Sequence, residues 1–185
     1  MIVLLEGPEG VGKSTIAARL EADHGFIRYR ALADGGRLAP EQLRRWREAG
    51  VNANSYVDDV FSTDVLGTLW RHGVQPRIVM DRAMISGHAY ADPPLPGWMM
   101  SWWVEEMRRM DARLVYLTAP VPVLLRRLDE DDPRRTEEHL HRVASRLRAS
   151  MRYALSLDTL RLDVSQDPYP LDTTYRAVTD WLEIR

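Results

Sequence analysis

Short apolar runs alternate with amphipathic segments along the chain. Five runs have the length and composition of buried β-strands: residues 1–6, 26–30, 77–81, 113–119 and 159–165. After the first run, Ile16, Ala17 and Leu20 recur at helical spacing in a segment that begins at Lys13 and reaches Asp23. Continuous apolar strands separated by helices are typical of a parallel sheet that helices cover on both faces.

Proline and glycine mark the ends of the predicted helices. Pro40 opens a helix that ends at Gly50, and a longer helix over residues 56–72 stops at Gly73. Further helices are predicted for residues 84–91, 98–110, 121–128, 137–157 and 171–182. Because no repeat or linker interrupts the alternation, we expect one α/β domain over residues 1–185.

Composition narrows the class of protein. A chain of 185 residues that is 45% hydrophobic can bury one core, and the absence of cysteine excludes disulfides and thiolate chemistry. No apolar run reaches the roughly 18 residues of a membrane span, and the N-terminal run lacks the basic flank of a signal peptide. We therefore expect a soluble, cytoplasmic protein that does not bind membranes. A net charge of −2 does not favour general nucleic-acid binding.

The clearest motif follows the first predicted strand. Gly7-x4-Gly12-Lys13-Ser14 matches the phosphate-loop pattern between a strand and a helix, where backbone N–H groups surround phosphate oxygens. In that pattern Lys13 contacts the β- and γ-phosphates and Ser14 binds Mg²⁺. The residues predicted to bind ATP are Gly7, Glu9, Gly10, Val11, Gly12, Lys13, Ser14 and Thr15.

Lys13 is also the only lysine among the 25 lysine and arginine residues. The bias toward arginine elsewhere indicates that arginine replaces lysine wherever either one serves. A compact ammonium fits a tight backbone loop that a wide planar guanidinium does not. The exception at Lys13 therefore supports the phosphate-loop interpretation.

A second candidate site follows the strand at residues 77–81. Asp81 and Arg82 lie at its carboxyl end, the edge of a parallel sheet where ligands collect. Asp81 could hold Mg²⁺ together with Ser14 or orient the acceptor, and Arg82 could clamp an acceptor phosphate.

With these motifs the chain resembles thymidylate kinases and related nucleotide kinases in element order over most of its length. The phosphate loop carries the resemblance, together with Asp81-Arg82 and the following Ser86-Gly87 and Ala89-Tyr90. The resemblance implies a three-layer P-loop kinase fold with a five-stranded parallel sheet and a short lid at about residues 129–136. It also allows a homodimer, for which the Trp- and Met-rich helix offers an interface.

The resemblance assigns further roles. Glu9 would approach the sugar 3′-hydroxyl of the acceptor, and Arg30 and Arg82 would contact its phosphate. Relatives without an arginine inside the phosphate loop carry one in the lid. Because the loop position here is Gly10, Arg134 or Arg135 is the expected catalytic guanidinium. The predicted catalytic set is Lys13, Asp81, Arg82, Arg134 and Arg135.

The expected base-recognition residues differ from those of thymidylate kinases. No arginine occupies the segment that would bond thymine, where Tyr56 could stack on a base and Asp58 or Asp59 could accept a hydrogen bond. An acid there favours a base that carries an amino or hydroxymethyl donor. The predicted acceptor site comprises Glu9, Arg30, Asp34, Tyr56, Asp58, Arg82, Ser86 and Tyr90.

Three functions remain open from the sequence. The leading one is ATP- and Mg²⁺-dependent transfer of a phosphoryl group to a nucleoside monophosphate, whose phosphate needs no general base. The alternative is a kinase that phosphorylates a hydroxyl of a deoxynucleoside or of a hydroxymethylated base in DNA. That reaction needs a carboxylate base, for which Asp81, Asp34 and Glu9 are candidates, and basic residues 44–50 could track DNA. A regulatory nucleotide-binding module is less favoured, because no second lysine is available for a guanine-reading motif.

Overall fold

The computed structural model describes residues 1–29, 63, 66–67, 69–90, 94–132, 135–166 and 168–184. Five strands form one sheet: β1 (Ile2–Glu6), β2 (Ile27–Tyr29), β3 (Ile78–Asp81), β4 (Ala112–Thr118) and β5 (Asp158–Asp163). Each lies within or next to an apolar run that predicts a strand. The predicted α/β architecture is therefore confirmed.

All strand pairs are parallel, in the order β2-β3-β1-β4-β5. Strand β1 lies at the centre, with Leu5 opposite Asp81 of β3 and Glu6 opposite Tyr116 of β4. Because parallel strands end at the same edge, this register brings the phosphate loop after Glu6 beside Asp81 and Arg82. This edge is where ligands bind in parallel α/β sheets.

Six helices are described: α1 (Lys13–His24), α2 (Met84–Tyr90), α3 (Gly97–Arg109), α4 (Val121–Arg127), α5 (Glu137–Ser150) and α6 (Leu171–Trp181). The predicted helix over residues 137–157 is too long, since α5 ends at Ser150 and a separate 3₁₀ helix spans Tyr153–Ser156. Residues 69–71 are helical and belong to the predicted helix over residues 56–72. The predicted helix at residues 40–50 lies outside the described residues.

Apolar side chains pack on both faces of the sheet. Ile2 and Leu4 belong to one buried cluster, whereas Val3 and Leu5 belong to the other. This alternation explains why β1 is apolar at consecutive positions: a parallel strand covered by helices on both sides has no solvent face.

The Trp- and Met-rich helix α3 is largely a packing element. Met100, Trp103 and Met107 are buried in the first cluster. Trp98 is 70% exposed, so this part of the helix is accessible among the described residues. No described helix is long and apolar enough to cross a membrane.

One polar bridge joins helices α2 and α5. The His88 Nδ1 atom lies 2.8 Å from the Ser150 hydroxyl, which itself donates to the Arg146 carbonyl. Burial lowers the pKa of His88, and the positive charges of Arg152 and Arg146 lower it further. Neutral His88 is therefore the form that the folded state favours.

Candidate active site

The phosphate loop joins β1 to α1 with a backbone that only glycine adopts easily. Gly7, Gly10 and Gly12 have φ angles of +146°, +78° and +86°. A Cβ atom on Gly7 would lie 2.3 Å from the Leu117 carbonyl oxygen. The loop is thus packed directly against β4, which leaves it no room to widen.

Lys13 is the first residue of α1 and is buried inside this loop. Its Nζ atom donates to the carbonyls of Gly7 at 2.8 Å and Pro8 at 2.6 Å. Burial lowers the pKa of Lys13, and the Arg82 guanidinium lowers it further, while Asp81, Glu9 and Glu6 oppose the shift. Two cations therefore face one region of the site, where a bound anion would stabilise both.

Tyr169 lies over the start of α1. A Cβ atom on Gly12 would come within 2.4 Å of the Tyr169 ring, so the tyrosine is in direct contact with the phosphate loop. The Arg127 guanidinium stands 4.9 Å from the centre of the same ring, and its Nη2 atom donates to the Val164 carbonyl at 2.7 Å. The sequence interpretation missed this pair, because nothing in the sequence spacing places Tyr169 beside Gly12.

Glu6 is a second residue that the sequence interpretation missed. It is the last residue of β1 and has no exposed surface. One carboxylate oxygen accepts from the backbone N–H groups of Ala83 at 3.0 Å and Ser86 at 3.2 Å, and the other accepts from the Ser86 hydroxyl. Burial raises the pKa of Glu6, and this effect exceeds that of the hydrogen bonds and of the positive charge of Lys13, which lower the pKa. Glu6 thereby ties the phosphate loop to the start of α2.

Glu9 and Arg82 form an ion pair across the loop. The Arg82 Nη2 atom lies 3.5 Å from Glu9 Oε1, and the guanidinium stands 4.8 Å from the centre of the Tyr90 ring. Glu9 is only 3% exposed. Burial raises the pKa of Glu9, but the Arg82 guanidinium and the nearby Tyr90 and Lys13 bring it below its ordinary value. Glu9 is therefore a buried, ionised carboxylate.

Arg82 has an unusual backbone for a residue with a side chain. Its φ angle is +75°, in the left-handed region, and its N–H donates to the Leu5 carbonyl at 3.1 Å. Such a conformation costs on the order of 1–3 kcal/mol and persists where the surrounding structure imposes it. Here the turn aims the guanidinium at the phosphate loop.

A histidine from α5 completes this cluster. His139 Nε2 lies 3.8 Å from Glu9 Oε1, and the His139 ring is 6.5 Å from the Tyr90 ring, centre to centre. Within the described part of the chain, both Glu9 oxygens, the Tyr90 hydroxyl and His139 Nε2 are buried without a hydrogen-bond partner. Four polar atoms in this condition mark a place where a ligand would be held.

The structure brings together most of the predicted site residues that it describes. Lys13, Glu9, Asp81, Arg82 and Tyr90 meet around the phosphate loop. Ser14 and Thr15 are exposed at the start of α1. Ser86 is fully buried against Glu6. Its assignment to the acceptor site stays a prediction.

The predicted lid is described only in part. Arg135 Nε donates to the Leu125 carbonyl at 2.9 Å, and Nη1 lies 3.8 Å from Glu130. Arg134 lies outside the described residues, as do Arg30, Asp34, Tyr56 and Asp58. The choice between Arg134 and Arg135 stays open.

No group of three or more His, Asp or Glu side chains that could hold a metal occurs in the described ranges. A phosphate loop suits Mg²⁺ nevertheless, because this ion keeps several waters and takes most other ligands from phosphate oxygens. The Ser14 hydroxyl at the start of α1 and the buried Asp81 are the protein groups that fit such an ion.

The fold and the loop geometry define a P-loop protein with the sheet order and helical layers described above. The AAA_28 family, described as an AAA domain, matches residues 2–156, and the chain therefore belongs to this family. A comparison with curated proteins finds no significant match.

Solved structures match the whole chain. The YorR protein from Bacillus subtilis, in complex with phosphorylated GDP, is 19% identical, with a TM-score of 0.70 over 99% of this chain and 96% of that one. Shikimate kinase from Bacteroides thetaiotaomicron is 12% identical, with a TM-score of 0.61 over 100% and 99% of the two chains. Deoxyadenosine kinase from M. mycoides with dCTP is 14% identical, with a TM-score of 0.56 over 99% of each chain. At these identities the likeness shows a P-loop kinase fold and no particular substrate.

Proposed function

We propose that this protein is a kinase that transfers the γ-phosphoryl group of ATP, with Mg²⁺, to the phosphate of a nucleoside monophosphate. One observation carries the proposal: the buried ammonium of Lys13 and the partly buried guanidinium of Arg82 converge on one side of the phosphate loop, where the charge of Arg82 lowers the pKa of Lys13. Negatively charged donor and acceptor groups would offset the repulsion between these two positive charges. A donor triphosphate at Lys13 and an acceptor phosphate at Arg82 supply them.

Each residue of the site has a separate role in the proposed reaction. The loop N–H groups and Lys13 hold the donor phosphates, and Ser14 with Asp81 would hold Mg²⁺, which neutralises charge on the donor oxygens. Arg82 orients the acceptor phosphate. Since an acceptor phosphate with a second pKa near ~6 is already ionised at neutral pH, positioning and charge neutralisation suffice. Arg134 or Arg135 would add positive charge from the lid.

The similar structures support this choice of reaction class. Two of the proteins are kinases by name, and the YorR structure contains phosphorylated GDP. Resemblance to thymidylate kinases in the Asp81-Arg82 and Ser86–Tyr90 segments favours a nucleotide as acceptor. A particular base is not part of the proposal.

The test is an assay with ATP, Mg²⁺ and one acceptor at a time, with products separated by anion-exchange chromatography. The acceptors are deoxynucleoside monophosphates, deoxynucleosides and hydroxymethyl-containing DNA. Conversion of a monophosphate to a diphosphate, with one ADP formed per turnover and none in EDTA, supports the proposal. Phosphate incorporation confined to nucleosides or DNA overturns it.

Arg82→Asn gives a sharper version of this test, because asparagine tolerates the left-handed backbone at that position. We expect KM for the monophosphate to rise at least about tenfold, from the loss of one charge-assisted contact, while KM for ATP changes less than about threefold. If KM for the monophosphate and KM for ATP changed equally, Arg82 would not be an acceptor-binding residue.

Glu6 favours a second candidate function, a kinase that acts on a hydroxyl. Its carboxylate lies directly before the phosphate loop, and burial raises its pKa, as a general base requires. Both oxygens are already hydrogen bonded to the start of α2, so Glu6 would have to exchange one of these bonds for the substrate. Glu6→Gln keeps the size and most hydrogen bonds. Loss of turnover with hydroxyl acceptors by about 10²-fold or more would support this reaction.

A further inference from the structure

Glu9 Oε1 and His139 Nε2 face each other at a distance that one oxygen atom beside them could bridge. Glu9 Oε1 and His139 Nε2 stand 3.8 Å apart, too far for a direct hydrogen bond. In the described portion of the chain neither atom has a hydrogen bond, Glu9 Oε1 has a 3.5 Å ion pair with Arg82, and Glu9 is 3% exposed. Burying polar atoms without hydrogen bonds costs stability, and a ligand that hydrogen bonds to both atoms would remove that cost.

The other nitrogen of the histidine determines its tautomer. Arg142 Nη2 lies 3.2 Å from His139 Nδ1. A guanidinium only donates hydrogen bonds, so Nδ1 must present its lone pair. The proton of the neutral ring then sits on Nε2, and the N–H bond is on the side that faces Glu9.

This pair selects the chemistry of its ligand. Ionised Glu9 only accepts a hydrogen bond, and His139 Nε2–H only donates one. The joining group must therefore donate and accept at a single atom, which a hydroxyl or a water molecule does and an ammonium, a carbonyl or a phosphate oxygen does not. An oxygen about 2.7–3.0 Å from each atom would lie roughly 2 Å to the side of the line that joins them.

The pair lies on the acceptor side of the site. Arg82, proposed to hold the acceptor phosphate, is 3.5 Å from the same Glu9 oxygen. His139 is in the first turn of α5, directly after the predicted lid, and its backbone N–H donates to the Thr136 hydroxyl at 3.2 Å. We infer that His139 is an acceptor-recognition residue, which donates to a sugar hydroxyl of the nucleotide while that hydroxyl donates to Glu9. This inference rests on the proposed function for the identity of the acceptor.

The test measures binding without donor, by titration calorimetry, so that it does not depend on turnover. The probes are the four nucleoside 5′-monophosphates in ribo, 2′-deoxy and 2′,3′-dideoxy forms. Wild-type protein should lose about 10- to 100-fold in affinity when the recognised hydroxyl is removed. His139→Phe should lose about tenfold toward the nucleotide with this hydroxyl and less than about twofold toward the one without it.

Two further variants separate recognition from folding. His139→Gln carries an amide N–H near the position of Nε2 and should restore part of the preference. His141→Phe makes the same change two residues away on an exposed face of α5, where His141 Nε2 lies 3.5 Å from Glu137 Oε1, and should bind like wild type. If His139→Phe fails to fold by circular dichroism, His139→Gln and the wild-type preference still decide the question.

The outcomes distinguish this inference from the proposed function. Hydroxyl-dependent binding that His139→Phe abolishes, without any phosphoryl transfer to the bound nucleotide, supports the recognition pair and overturns the kinase reaction. Equal losses toward both forms assign His139 a purely structural role and overturn the inference. Failure of wild-type protein to bind any of the monophosphates, or an equal affinity for all sugar forms, also overturns it.

Discussion

Replacing Lys13 by arginine keeps the positive charge and should still abolish most activity. Lys13 Nζ already donates to the carbonyls of Gly7 and Pro8. An ammonium nitrogen has three N–H groups, so a third is available for a phosphate oxygen, whereas a terminal arginine nitrogen has only two. Arginine at this position must give up a loop carbonyl or the phosphate.

The structure sets the size of the effect. Losing one charge-assisted hydrogen bond costs about 1.5–3 kcal/mol, and forcing a larger side chain into a packed site costs about 1–3 kcal/mol more. The loop cannot widen, because a single added carbon on Gly7 would already overlap the Leu117 carbonyl. A total of about 2.5–6 kcal/mol in the transition state corresponds to about 10²- to 10⁴-fold in kcat/KM.

The assay compares wild type, Lys13→Arg and Lys13→Met with the best acceptor from the panel, together with the affinity for ATP and Mg²⁺. Arg108→Lys is the matched control, since it exchanges the same two groups in an exposed ion pair with Glu105. Thermal unfolding without nucleotide checks that the variants fold. Turnover of Lys13→Arg within about threefold of wild type would refute the geometric account of the lysine.

Three further predictions concern stability. Ser86→Ala leaves one buried Glu6 oxygen without its hydroxyl donor and should lower the free energy of unfolding by about 1–3 kcal/mol in urea titrations, whereas an unchanged value would show that water replaces the hydroxyl. Gly12→Ala should lower the free energy of unfolding by at least about 1–2 kcal/mol, from the left-handed backbone alone. Adding Tyr169→Ala should recover the part of the loss that comes from overlap with the tyrosine ring, and no recovery would mean that the ring moves aside freely. The pKa of His88 is lowered in the folded state from its ordinary value of 6.5, so below pH 6.5 the unfolded chain binds more protons than the folded chain. The free energy of unfolding should therefore fall as the pH drops below 6.5, and His88→Asn should weaken this dependence.

The fold was predictable because its signals are local. The three central strands β1, β3 and β4 are mostly apolar runs, and the glycine-rich loop between β1 and α1 has only one common structural meaning. The predicted end of the helix that begins at Glu137 was wrong: α5 ends at Ser150, but the apolar spacing continues through the 3₁₀ helix at Tyr153–Ser156. Residues that face the core keep similar spacing in both helix types over one turn, so periodicity does not separate them.

The position of the phosphate loop was predictable from its motif, whereas the roles of its residues stay predictions. That Lys13 and the Asp81-Arg82 pair lie at one edge of the sheet follows from the sequence alone, because parallel strands end there, and the pairing of β1 with β3 brings them together. Glu6 escaped notice because a glutamate at the end of a strand is ordinarily exposed. Only the strand order, which puts β1 beside β3, shows that Glu6 reaches the backbone of Ala83 and Ser86.

His139 shows most clearly what sequence spacing leaves undecided. With His141 two positions away, the two rings point to different sides of a helix, which argues correctly against a metal pair. The same spacing says nothing about which side faces the phosphate loop. That is decided by the packing of α5 against α2 and α4, which turns His139 toward Glu9 and leaves His141 exposed. The proposed function of His139 follows from the partner of each ring nitrogen. Arg142 donates to Nδ1, which places the proton on Nε2. Because Glu9 lies opposite Nε2, a group that joins them must both donate and accept a hydrogen bond.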